Sequence, residues 1–186
     1  MKNWIAFGVV MFGAWVLQTS LLAGLFLVLA RGLGLPFLAG QTVNLALLTL
    51  IYLSLHRDVS GTLIWAVVIG FVGSWFGTTW NGALTSSFFL VSLVCGGLRR
   101  NLLLKDDLTV AVFAGAMVLV QAILQLGAGE ILNQIPGAFE REYDVIIGAV
   151  LVTGAAAPVW FRFLRAVDAL SGAISQRSRT MLLSGL

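Results

Sequence analysis

Eight carboxylates, one histidine and one cysteine are the candidates for acid–base, nucleophilic or metal-binding chemistry in this 186-residue chain. The carboxylates are Asp58, Asp106, Asp107, Glu130, Glu140, Glu142, Asp144 and Asp168, and each falls in an expected loop or at the end of an apolar run. No run carries a carboxylate, histidine or lysine at its middle. Proton relays, ion-coupled transport and intramembrane acid–base catalysis use such groups there despite their insertion cost. Ser86, Ser87 and Ser92 offer hydroxyls, but no base within the apolar runs can activate them. His56 has no second ligand of its own type nearby, which argues against a metal site. Cys95 lies unpartnered in an apolar run, so it reads as packing and disulfides are excluded. No glycine-rich loop with a following lysine is present to cradle a phosphate. The pattern supplies no catalytic residue, no metal site and no cofactor site, and it argues against an enzyme.

The chemistry that remains belongs to uncharged polar side chains and to small residues. Gln18, Thr19 and Ser20 sit mid-run, Gln41, Thr42 and Asn44 begin another run, and Gln121 and Gln125 share a face at i, i+4 spacing. Inside a membrane such side chains seek interhelical hydrogen bonds. Gln41, Asn44, Asn81, Gln121 and Gln125 are also the residues available to line a small pocket. Gly70, Gly73 and Gly77 fall three and four residues apart on one helical face, which lets another backbone approach closely. Gln18, Asn44, Gly70, Gly73, Gly77 and Asn81 are therefore the candidate helix-packing or partner-binding residues.

The elements that must position them are transmembrane helices. The chain is 59% hydrophobic and 10% charged, with a mean hydropathy of +0.99, against about 25% charged in soluble domains. Ser60 to Arg100 forms a central hairpin: apolar runs Gly61–Phe76 and Ala83–Leu98 flank the tip Thr78-Thr79-Trp80-Asn81-Gly82. Asn-Gly is turn chemistry, and each run with its flanks approaches the roughly 20 residues a helix needs to cross a bilayer. Before it, a first span covers Trp4–Ala30, Arg31–Pro36 forms a loop with Pro36 opening the next helix, and a second span covers Phe37–Leu55. Tyr52 suits an interfacial ring, and His56-Arg57-Asp58 closes that span as a polar loop. After the hairpin come a span over Leu108–Leu126 and a last span over Val145–Phe163, with a kink expected at Pro158. Between these two, Gly127–Asp144 holds Glu130, Glu140, Glu142 and Asp144, and reads as partly an amphipathic surface segment interrupted at Pro136. Residues 1–168 thus form one six-helix transmembrane domain, all-α, and residues 169–186 a cytoplasmic interfacial basic tail.

Loop charges orient this arrangement. Lys2, Arg57, Arg99, Arg100, Lys105, Arg162, Arg165, Arg177 and Arg179 fall on one side, Arg31 and Arg141 on the other. An excess of this kind marks the cytoplasmic side, so both termini are expected inside. The net charge of +3 suits anionic lipid heads and calls for no nucleic-acid partner.

The order of these features resembles the rod shape-determining protein MreD family of bacterial inner-membrane proteins. The resemblance runs through Leu17-Gln18-Thr19-Ser20, through Val43-Asn44-Leu45 leading to Ile51-Tyr52-Leu53-Ser54-Leu55-His56-Arg57, and through Gly70-Phe71 with Gly73. It continues in Trp80-Asn81-Gly82-Ala83-Leu84 and Gly96-Gly97-Leu98-Arg99-Arg100, covering about two-thirds of the chain. What the resemblance implies is a scaffold of the wall-elongation complex. Its partner would be an MreC-like single-span protein, with MreB filaments and wall synthases reached indirectly, and self-association into a homo-oligomer remains open. A rival resemblance is to the substrate-binding S subunit of energy-coupling-factor vitamin transporters, which also have six spans and few charges. Those proteins often carry Ala-x-x-x-Ala in the first helix, a spacing absent between Trp4 and Ala30.

Overall fold

The computed structural model describes residues 2–34, 41, 43–76, 81–99, 106–133 and 138–170. Among them every regular element is helical: α1 (Lys2–Val16), a six-residue π-helical stretch (Leu17–Leu22), α2 (Ala23–Leu33), α3 (Leu45–His56), α4 (Val59–Phe76), α5 (Asn81–Leu98), α6 (Asp107–Asn133) and α7 (Ala138–Leu170). Three helical stretches are long and apolar enough to cross a membrane: Gly8–Phe26, Asp107–Ala128 and Glu142–Leu170. The apolar stretches Leu45–His56, Val59–Ser74 and Gly82–Leu98 are shorter.

The core is α3. Ten of its twelve residues, Leu45 to Ser54, are buried, and it packs against α1, α4, α5, α6 and α7. A helix apolar on every side has no face to give to water or to a single neighbour, so it sits innermost. At 1.5 Å per residue it spans only about 18 Å, which is short of the roughly 30 Å of bilayer hydrocarbon. Of the second span expected over Phe37–Leu55, the described helix covers the part from Leu45 onward. Gln41, Val43 and Asn44 are non-helical, and Asn44 caps α3 with its side chain accepting from Leu47 N. An Asn carboxamide favours this capped start over an interior helical position, because it replaces a missing intrahelical bond. Residues 35–40, with Pro36, lie outside the described residues.

Around α3 stand two helical hairpins and one long limb. Gly70 and Gly73 of α4 meet Thr85 and Leu84 of α5, so these neighbours run antiparallel. Gly115 of α6 meets Val150 and Gly154 of α7 in the same sense. The buried hydroxyls of Thr49, Ser54, Thr62, Ser74 and Ser87 donate to carbonyls three or four residues earlier, at 2.7–2.9 Å. Each hydroxyl proton is thereby satisfied locally, and Thr49 Oγ1 in addition accepts from Trp160 Nε1 of α7 at 2.9 Å. Between α3 and α4, Asp58 accepts from Gly61 N at 2.9 Å and from the Ser60 hydroxyl at 3.0 Å. The Gly61 bond chiefly holds the Asp58 carboxyl below its usual range.

The limb is continuous from Lys2 to Leu33 through the π stretch, slightly longer than the expected Trp4–Ala30. Gly34, at φ 64°, follows its last residue in the left-handed conformation that ends helices. In the π stretch the Thr19 hydroxyl donates to Trp15 O at 3.0 Å and the Ser20 hydroxyl to Val16 O at 2.5 Å.

The acidic segment between the last two spans differs from expectation. α6 continues past Leu126 to Asn133 and α7 starts at Ala138, so most of Gly127–Asp144 belongs to two helix ends. With 27 and 33 residues these helices reach about 40 and 50 Å. They are long enough for their ends to stand clear of a hydrocarbon layer of about 30 Å. α7 is one helix across Pro158 and reaches Leu170, so it takes in residues 169 and 170 of the expected tail. Pro136 and residues 171–186 lie outside the described residues.

Candidate functional site

Polar chemistry concentrates at the two ends of α3. At its N-terminal end the N–H groups that lack helical partners meet side-chain oxygens from two other segments and from the cap residue Asn44 itself. Asn44 N donates to Thr153 Oγ1 of α7 at 3.2 Å, Ala46 N to Gln18 Oε1 of the π stretch at 3.4 Å, and Leu47 N to Asn44 Oδ1 at 3.0 Å. Asn44 Nδ2 donates to Gln121 Oε1 of α6 at 3.4 Å, and Gln121 Nε2 to Gln125 Oε1 at 2.8 Å. The direction of this relay follows from chemistry. A backbone N–H can only donate, so Asn44 turns its oxygen to Leu47 and its NH2 to Gln121, which passes the same sense on to Gln125. The relay borders a cavity of about 310 Å³. Among the described residues Gln18, Asn44, Gln121 and Gln125 supply its polar wall, Glu142 a negative charge, and Val118, Leu126 and Ile146 part of its apolar wall.

At the C-terminal end the polar groups include charges and centre on a buried carboxylate. Tyr52 Oη donates to Asp168 Oδ2 at 2.8 Å, and Arg57 Nη2 to Asp168 Oδ1 at 2.5 Å. Asp168 is 3% and Tyr52 1% exposed. Arg99 Nη1 donates to Arg57 O at 2.5 Å, tying the end of α5 to the same turn. The His56 ring stacks on Tyr52 with centroids 4.3 Å apart, and its Nδ1 lies 3.0 Å from Tyr52 O. Tyr52 was expected as an interfacial ring. It is instead a core residue, because its polar tip finds a buried carboxylate rather than water. The ion pair between Arg162 and Asp107 is exposed and contributes little.

The other candidate residues fall at helix contacts. A Cβ on Gly70 would lie 2.5 Å from Thr85 Cα, and one on Gly73 would lie 2.5 Å from the Trp15 ring and 3.0 Å from Leu84. The glycine face is thus occupied by α5 and α1 of this chain itself. Gly77 lies outside the described residues, and Asn81 is the first residue of α5. Gln41 is buried against Gly148 of α7. Beside this seam a second, apolar crevice of about 290 Å³ opens between α1 and α4, lined by Met11, Phe12, Trp15, Trp65, Val68 and Val72 among others.

The structure brings Gln18, Asn44, Gln121 and Gln125 together and leaves Gly70 and Gly73 in a separate contact. Sequence reasoning missed Thr153, Glu142 and the Tyr52–Asp168–Arg57 group as site residues. Asp168 carried one signal, as the acidic residue among the basic positions 162–179. Among the described residues no three His, Cys, Asp or Glu side chains gather as a metal site. Comparison with protein-family models, curated proteins and solved structures finds no match to this chain.

Proposed function

We propose that the chain is a non-enzymatic scaffold of the MreD type, a six-span protein of the bacterial inner membrane with both termini in the cytoplasm. It binds an MreC-like single-span protein and so supports peptidoglycan synthesis along the side wall, with MreB filaments and wall synthases as indirect partners. The observation that carries this reading is the α1–α2 limb. Only 12% of Gly8–Phe26 is buried, and an apolar helix held along one side leaves a face for a second protein's span. The crevice between α1 and α4 supplies that face with pockets for side chains, and in lipid it is such packing that associates helices. The MreD-like order of motifs adds to this, because Gln18, Asn44, Arg57, Gly70, Gly73 and Arg99 all sit at contacts between elements.

A tagged copy recovered from a rod-shaped host is expected to bring down a single-span coiled-coil protein of the MreC type, and depletion is expected to round the cells. Phe12→Arg in the crevice is expected to abolish that recovery while the protein still accumulates in the membrane. Recovery of ATPase subunits and a bound vitamin with the tagged copy, together with depleted cells that stay rod-shaped, would instead favour the second reading, the S subunit of an energy-coupling-factor transporter. The cavity beside Asn44 is the observation that favours it.

A further inference from the structure

The amide relay ends in two donors that the protein does not use. With Gln18 Oε1 turned to Ala46 N and Gln125 Oε1 to Gln121 Nε2, both NH2 groups are left without a protein acceptor among the described residues. Both side chains line the cavity. The geometry points to a binding site there for a small neutral or cationic organic molecule. Its carbonyl oxygen would accept from Gln18 and Gln125, and its N–H or ammonium end would meet the Glu142 carboxylate.

Three features set that class. The positive end of the α3 dipole lies at the cavity and favours the acceptor end of a guest. Among the described residues that line the cavity none is a lysine, arginine or histidine and the one charge is a carboxylate, so a free anion meets no compensating charge there. That carboxylate stands in a segment that also holds Glu130, Glu140 and Asp144 against the single basic Arg141, and this acidic excess raises the local concentration of cations. A metal ion is not served by a single carboxylate among amides, because hard cations take about six or more oxygen ligands. Val118, Ala122, Leu126, Val145, Ile146 and Ala149 instead offer contact to a carbon skeleton. A volume of about 310 Å³ sits at the small end of the roughly 300–1,000 Å³ typical of ligand pockets. The guest is therefore compact. The inference rests on the cavity alone, and either reading of the partner is compatible with it.

Leucinamide carries an amide carbonyl, an ammonium and a branched alkyl group, and 4-methylpentanamide is the same molecule without the amine. Calorimetric titration of both into the purified full-length protein is expected to give binding. N-acetylleucine, whose free carboxylate is an anion, and isopentylamine, which lacks the carbonyl, are expected to bind at least about tenfold more weakly, the loss that one unmet hydrogen bond or charge carries. Gln125→Leu is expected to weaken both amides by about tenfold. Glu142→Gln, at an exposed position, is expected to weaken leucinamide alone. The assignment is overturned if neither amide binds at millimolar concentration, if N-acetylleucine binds as tightly as leucinamide, or if Gln125→Leu keeps the wild-type melting temperature and the wild-type affinity. The MreC-type pull-down is a separate measurement, so either result can fail without the other.

Discussion

The two ends of α3 solve one problem in opposite ways. Both are helix termini at the centre of an apolar bundle, where unsatisfied backbone groups are costly. The N-terminal end is satisfied by neutral amides, two of them at 3.4 Å, beyond the 2.7–3.2 Å of ordinary N–H···O bonds. At the C-terminal end Arg57 N donates to Leu53 O at 2.7 Å, and the buried Asp168 carboxylate holds Arg57 at 2.5 Å and Tyr52 at 2.8 Å. Loose neutral bonds border a cavity, whereas tight charged bonds surround a buried carboxylate. One end is suited to receive something and the other to hold the fold.

The proposed topology also sets the two ends on opposite sides of the membrane, and its test is all-or-none. In a Cys95-free background, cysteines at Asn81 or Gly137 are expected to react with an impermeant thiol reagent in intact cells, whereas one at Lys105 is expected to stay unlabelled. Labelling at Lys105 would reverse the assignment of the amide end to the outside. Next in size is Asp168→Ala, which strips a buried guanidinium and a buried phenol of their shared acceptor. A loss of roughly 3 kcal/mol is expected, the low end for breaking a buried pair, because Arg57 keeps 18% of its side-chain surface exposed. Thermal denaturation in detergent reads this directly. Asn44→Ala is expected to cost only about 1 kcal/mol, the usual effect of losing an N-cap. Equal losses from the two substitutions in the same assay would erase the distinction between the ends.

Much of this was legible in the sequence where the signal is local. The packing face of Gly70 and Gly73 follows from spacing on one helix, and the Gln121–Gln125 pair from i, i+4 geometry. The break before Leu45 was not, since a buried half-helix and a whole span have the same apolar composition. What ends α3 is a set of partners from residues 18, 121 and 153, and sequence proximity says nothing about their meeting. Tyr52 was misread for a related reason. An aromatic ring with a polar tip suits a membrane interface and a satisfied core equally well, and only the position of Asp168 decides between them. The long ends of α6 and α7 were hidden by their charges, which suggest a loop wherever a helix emerges from lipid.

The ion pair between Arg57 and Asp168 has a consequence in time as well as in space. Its partners are 111 residues apart. At about 5–20 residues per second of synthesis, the acid emerges on the order of ten seconds after the base. Throughout that interval Arg57 and Tyr52 have no Asp168 to meet, and α3 is without α6 and α7 around it. The innermost helix is made early and enclosed last. A nascent chain stalled before α7 would therefore carry an unclosed core, recognisable to the cell as incomplete.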